Sequence, residues 1–228
     1  SVDRLALPPI TDMPGRSTIV VEEANFPTDR YVLQGIAADL GMRLVTIPNK
    51  SPDVAECERI TSEILAEYLD DDVAFVCVQI VNYRSGARQD VPALTAAARD
   101  HGAYVLWDAS HAVGSIDLRF DEWGVDIAVG CTYKYCNSGP GSPGWMYVRS
   151  DLHDTLRTPI DGWFGQQDQF TMGPTFERAS GMRGFQIASP SIVGLTAVDE
   201  SMSIIAEAGM GRIEAKCAEG TSFMIDLF

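Results

Sequence analysis

Six short apolar runs, at residues 17–21, 43–47, 73–81, 104–107, 127–131 and 144–148, most constrain what this chain can fold into. They are rich in Val, Ile and aromatic residues, which suits buried strands. Helical stretches separate most of them. Thr28 or Asp29 stands where it can cap a helix ending at Gly41. Residues 53–69 are amphipathic, and Asp90 with Pro92 opens a helix that ends before Gly102. Strands alternating with helices of this length predict an α/β fold, a mainly parallel sheet with helices on both faces. Right-handed crossovers then gather the carboxyl ends of the strands on one side.

The chain has 228 residues, enough for one large domain or a domain with a small extension. Apolar residues make up 46%, yet no run approaches the roughly 20 needed to cross a bilayer, so a soluble globular protein is expected. A net charge of −15 argues against nucleic-acid or anionic-membrane partners, which need clustered Lys and Arg. The five cysteines, Cys57, Cys77, Cys131, Cys136 and Cys217, are odd in number, form no C-x-x-C pair and follow no secretory leader. A reducing cytoplasm is the expected location. Cys77 and Cys131 lie in apolar runs and read as buried thiols. His101, His111 and His153 form no ligand pair, so no metal site is expected.

Beyond residue 148 the pattern changes. Residues 151–156 read as helical, and residues 158–184 form a long loop rich in Gly, Pro and aromatics. A loop that long, carrying Trp163 and Phe164, points to function. Residues 190–208 and 212–228 read as helices, and the abrupt ends suggest a piece of a longer protein.

Two side chains carry chemistry. Asp108 follows the run at 104–107 and Lys134 follows the run at 127–131. In open α/β sheets, ligands bind outside the carboxyl ends of the strands. An acid and an amine placed there suit pyridoxal phosphate. That cofactor needs a lysine to hold its aldehyde as a Schiff base and a carboxylate to keep its pyridine nitrogen protonated. Asp108 equally reads as the N-cap of a short helix at 110–114. His111 reads as a packed histidine or a cofactor contact, and no nucleophile is spaced to make it part of a hydrolytic triad. Phe26 could be a hydrophobic staple ahead of a Thr28 cap. Trp163 could be a core or interface residue. The Gly139-Pro140-Gly141-Ser142-Pro143-Gly144 segment lacks the GK[ST] ending of a phosphate loop and reads as a turn.

Taken together, the motifs resemble a known family. Asn25-Phe26-Pro27-Thr28-Asp29, Val81-Asn82-Tyr83, and Trp107-Asp108-Ala109-Ser110-His111-Ala112-Val113-Gly114 come first. Cys131-Thr132-Tyr133-Lys134-Tyr135 follows, with Asn137 and Gly139-Pro140-Gly141, and then Gly162-Trp163-Phe164-Gly165. In this order, over about residues 19–208, the chain resembles the kynureninase family. The resemblance implies the large domain of a fold-type-I pyridoxal phosphate enzyme. The implied reaction hydrolyses L-kynurenine or 3-hydroxykynurenine to anthranilate or 3-hydroxyanthranilate and L-alanine, in tryptophan catabolism and NAD biosynthesis. A cytoplasmic homodimer with sites at the subunit interface is implied as well.

Residue by residue, the resemblance makes Lys134 the Schiff-base lysine and Asp108 the partner of the pyridinium nitrogen. Phe26 stacks on the ring, and Pro27, Thr28, Asp29 and His111 occupy cofactor-contacting positions. Tyr133 and Trp163 match residues that hydrogen-bond the phosphate, and Tyr133 is also a candidate proton relay. Ser189 matches a polar cofactor contact that is often Asn or Thr, and Gln79 stands where relatives tend to carry Ser or Thr. Residues 1–208 would be the cofactor-binding large domain without its N-terminal part. Residues 209–228 would begin a helix leading to an absent C-terminal domain, which supplies the substrate-carboxylate arginine. The alternatives are a cysteine-desulfurase-like or aminotransferase-like enzyme, disfavoured by Trp163-Phe164, and an inactive truncated piece.

Overall fold

The computed structural model describes residues 13–48 and 59–227. Cys57 and the first part of the amphipathic stretch at 53–69 lie outside the described residues. Six strands form one sheet in the order β2-β1-β3-β4-β5-β6. They are β1 (Thr18–Glu22), β2 (Arg43–Ile47), β3 (Val73–Gln79), β4 (Tyr104–Asp108), β5 (Ile127–Gly130) and β6 (Trp145–Val148). The first five are parallel and β6 is antiparallel to β5. No helix separates β5 from β6, so the chain returns directly through a Gly-Pro-rich turn and must run the other way.

Every residue of β3 is buried, which explains why its sequence is a continuous apolar run instead of an alternating one. Helices cover both faces of the sheet. On one face Val20, Val76, Val78, Val105 and Trp107 pack with Leu65 of α2 (Ser62–Ala66) and Leu94 and Ala98 of α3 (Val91–Asp100). On the other, Ile19, Val21, Phe75, Cys77 and Leu106 pack with Leu33, Ile36 and Ala37 of α1 (Pro27–Leu40), together with Leu156 and Phe185. The strand alternation therefore decides which side chains meet α1.

Several local expectations are refined. Neither Thr28 nor Asp29 caps α1. Phe26 is the N-cap residue without a side-chain cap, and Pro27 stands at the start of the helix, where its missing N–H costs nothing. That leaves the Asp29 carboxyl free of capping. Asp90 does cap α3, accepting from Ala93 N at 3.1 Å. Residues 110–114 form a turn instead of a helix, and 151–156 reduce to a 3₁₀ turn at Ser150–Leu152. The loop at 158–184 contains 3₁₀ turns at Trp163–Gly165 and, at its end, Gly181–Phe185. The final helices are α4 (Ile192–Ala208) and α5 (Met210–Leu227). Cys77 is buried, but Cys131 is only half-buried because the chain has already left β5.

After β1 the chain moves outward to β2, whereas after β3 it moves the other way to β4. The carboxyl ends of β1 and β3 thus flank a topological switch point, the usual crevice for ligands in such sheets. Among the described residues no helix is long and apolar enough to cross a membrane. No group of three or more His, Cys, Asp and Glu is placed to hold a metal ion among them either.

Candidate active site

Asp108 ends β4 and is paired in register with Gln79 at the end of β3. Their neighbours two residues back, Leu106 and Cys77, face α1, so Asp108 and Gln79 project to that side too. Asp108 Oδ1 accepts from Ser110 N at 2.8 Å. This bond turns the chain after the strand and fixes the carboxyl, which is buried. His111 follows in the same turn. Its Nδ1 is buried without a hydrogen-bond partner among the described residues. Burial holds the imidazole below its usual pKa, with the Lys134 charge pushing the same way and Asp108 opposing.

The turn after β4 rests directly on the segment that carries Lys134. Gly114 has φ +83°, and a Cβ there would meet the Tyr135 carbonyl carbon at 2.7 Å. Glycine satisfies both the left-handed backbone and the close approach. Cys131 Sγ adds a contact to Ser110 O at 3.8 Å. Within the lysine segment, Asn137 N donates to Lys134 O at 3.0 Å and Ser138 N to Thr132 O at 3.1 Å. Thr132 Oγ1 reaches Ser142 Oγ at 2.8 Å and Pro143 O at 2.6 Å. A closed loop therefore presents Lys134, itself half-buried. Its Nζ lies 5.6 Å from the Phe26 ring centroid and 5.7 Å from that of Tyr133, within range of cation–π attraction. Phe26 is in turn held edge-on by Tyr83, centroids 5.2 Å apart.

Asp29, in the first turn of α1, completes the group. It is buried, and its Oδ2 has no hydrogen-bond partner among the described residues. Burial first and the Asp108 charge second push its pKa up to about 7, against the pull of Lys134. The buried Cys77 thiol is pushed well up by burial and then by Asp29, Asp108 and Glu22, so these acids surround one point. A carboxyl whose folded pKa is raised binds its proton more tightly in the folded state. Its contribution to stability is greatest at low pH and is lost as pH rises through the folded value. Asp29→Asn removes that loss. Relative to wild type, the variant should therefore gain stability as pH is raised from about 5 to about 8. Urea midpoints at the two pH values check this, and a pH-independent difference would contradict it.

Phe26, Asp29, Asp108, His111 and Lys134 are thus brought together, with Gln79 beside Asp108. Pro27 starts α1 next to Phe26, and Thr28 is exposed on the same turn. Tyr133 is exposed but lies beside the lysine amine. Trp163 and Ser189 are exposed on a second neighbourhood. There Gly162 packs on the Ile187 backbone, and Trp163 meets Phe164 and Phe170 edge-on at 4.7 and 6.4 Å. Among the described residues no hydrogen bond joins these two to the Lys134 group. Glu22, a carboxylate ending an otherwise apolar strand, is a site feature that spacing alone did not mark. It accepts from Gln79 N at 2.7 Å.

The arrangement offers an amine able to attack a carbonyl, carboxyls able to hold or give up a proton, and an aromatic face. Kynureninase from Pseudomonas fluorescens is 34% identical over 221 residues, which cover 95% of this chain and 50% of the relative. Kynureninase from Burkholderia mallei (strain SAVP1) is 35% identical over 218 residues, 94% of this chain and 49% of the relative. The chain therefore spans about half the length of the curated relatives it matches. Among solved structures, the cystine C-S lyase C-DES superposes with a TM-score of 0.77 at 20% identity, covering 91% of this chain and 54% of that one. Cysteine desulfurase from Thermococcus onnurineus NA1 gives 0.75 at 22%, covering 99% and 55%. These two share the fold. The sequence profile described as aminotransferase class-V matches residues 9–226, and the chain belongs to that family of pyridoxal phosphate-dependent enzymes.

Proposed function

We propose that this chain carries the cofactor site of a kynureninase. The reaction is hydrolysis of L-kynurenine, or its 3-hydroxylated form, with one water to anthranilate, or 3-hydroxyanthranilate, and L-alanine. In the cell this is a cytoplasmic step of tryptophan catabolism leading toward NAD. The observation that carries the reading is the convergence of Lys134, Phe26, Asp29 and Asp108 on one point of the sheet, in a chain 34% identical to a kynureninase. The residues fit pyridoxal phosphate. Asp29 Oδ2, Gln79 Oε1 and His111 Nδ1 are buried polar atoms without a partner among the described residues, on the turns and strand ends around Lys134, as expected where a polar ligand belongs.

Bound there, pyridoxal phosphate supplies an electron sink for carbanion chemistry. Lys134 Nζ would hold the cofactor through its aldehyde carbon, with loss of water, and once displaced by the substrate's amine it would be the base for the substrate's α-proton. Asp108, oriented by Ser110 N, keeps a proton at the pyridine nitrogen. Phe26 covers one ring face, bordered by Pro27, Thr28, Asp29, Gln79 and His111. Tyr133 and Trp163 would donate to the phosphate, Ser189 would add a polar contact, and Tyr133 would relay protons, with Trp163 and Ser189 reaching in from the neighbourhood of Gly162 and Ile187. Residues 1–208 are then the cofactor-bearing domain, residues 209–228 begin a helix leading out of it, and the enzyme works as a homodimer on a small-molecule substrate.

The assay is anthranilate release from kynurenine by cofactor-loaded protein, run beside sulfide release from cysteine and keto-acid release from alanine. Of the three releases, only that of anthranilate, with an equivalent of L-alanine, is expected. Sulfide or keto acid in its place would contradict the reading.

A further inference from the structure

The loop between β1 and α1 carries both Phe26 and Asp29, and a set of buried amides holds it. Ala24 O accepts from Gln79 Nε2 at 2.9 Å and from Asn82 Nδ2 at 3.2 Å. Gln79 N donates to Glu22 Oε1 at 2.7 Å, and Gln79 Nε2 approaches the same oxygen at 3.4 Å. One residue on, Asn25 Nδ2 donates to Cys77 O at 3.4 Å, while Asn25 Oδ1 accepts from Phe26 N at 2.7 Å. Glu22, Ala24, Asn25, Gln79 and Asn82 are all buried.

Chemistry fixes which way the Gln79 amide points. Both neighbours of Nε2 are acceptors, a carbonyl and a carboxylate, so the nitrogen must face them. The donors of Gln79 are therefore committed to the loop. Phe26 lies two residues beyond the clamped carbonyl, and Phe26 O accepts from Asp29 N at 3.1 Å. A displacement at Ala24 is thus passed to the ring beside Lys134 and to the buried carboxyl.

We propose that Gln79 is a positioning residue: together with Asn82 it clamps the Ala24 carbonyl to the end of β3 and so holds Phe26 and Asp29 against Lys134. The consequence for the cofactor rests on the reading given under Proposed function; the clamp itself does not.

Two variants test it. Gln79→Met keeps the chain length and the backbone bond to Glu22 but removes both Nε2 bonds. Asn82→Asp keeps the acceptor used by Arg84 N and Ser85 N, turns the donor to Ala24 O into an acceptor and adds a buried negative charge. In cofactor-free protein, the acetylation rate of Lys134, followed by peptide mass, should rise about threefold as the Phe26 ring moves off the amine and uncovers it. With pyridoxal phosphate, affinity should fall about tenfold, the size of a lost buried hydrogen bond. The visible circular dichroism per bound cofactor should fall as well, while borohydride still fixes the cofactor to Lys134. A role in stability alone would lower the melting temperature and leave acetylation and dichroism as in wild type; that result in both variants overturns the proposal. Wild-type protein that fixes no cofactor on Lys134 overturns the cofactor reading instead, and the acetylation result then decides the clamp by itself.

Discussion

On the proposed kynureninase reading, Lys134→Ala is expected to reduce turnover of kynurenine by at least about a thousandfold and to remove covalent cofactor capture. The reason is positional. The sequence holds three lysines, Lys50, Lys134 and Lys216. Of the two that are described, Lys216 is exposed on α5, whereas Lys134 is half-buried on a loop closed by Thr132, Asn137 and Ser138. Among the described residues no other lysine stands beside the site to take over. The substitution should leave the fold intact, because the bonds that close the loop use backbone and hydroxyl groups and not Nζ. Unchanged melting with lost turnover is the expected pair of results. Turnover within a few-fold of wild type would remove Lys134 from the chemistry.

Asp108→Asn should cost about a hundredfold or more in kcat, the scale of losing one preorganised charged partner in a buried site. Asparagine keeps an oxygen for Ser110 N, so the turn after β4 and the packing of Gly114 on Tyr135 survive. What is lost is the negative charge. A second readout follows from the same electrostatics. The Asp108 charge is one cause of the raised pKa of Asp29, so removing it should bring the Asp29 titration down from about 7. Carboxyl titration followed by NMR in the variant measures this directly. An unmoved Asp29 together with near-normal kcat would mean that the two acids do not share a site.

Much of the sheet was legible in the sequence because its central strands are buried on both faces and read as compact apolar runs. The direction of β6 was not legible. It depends on the lack of a crossover helix between residues 131 and 144, a tertiary consequence of a turn and not a property of the strand itself. Residues 110–114 carry residues suited to a capped helix, yet the bond from Ser110 N to Asp108 Oδ1 closes a turn first. In the site, Asp108 and Lys134 stood out because each follows an apolar run. The approach of Asp29 could not be read from spacing, since it depends on Pro27 starting the helix and leaving the acid to face inward. The Gln79, Asn82 and Asn25 contacts join segments more than fifty residues apart and leave no periodic trace. Glu22 was hidden in the same way, as the polar end of a strand whose other residues are core.

The most direct measurement is borohydride reduction of the wild-type protein with pyridoxal phosphate, followed by peptide mass analysis. Three lysines make the map unambiguous. One cofactor per chain is expected, fixed to the peptide containing Lys134 and accompanied by a visible absorption band before reduction. Cofactor on Lys50 or Lys216, or no fixed cofactor, would contradict it.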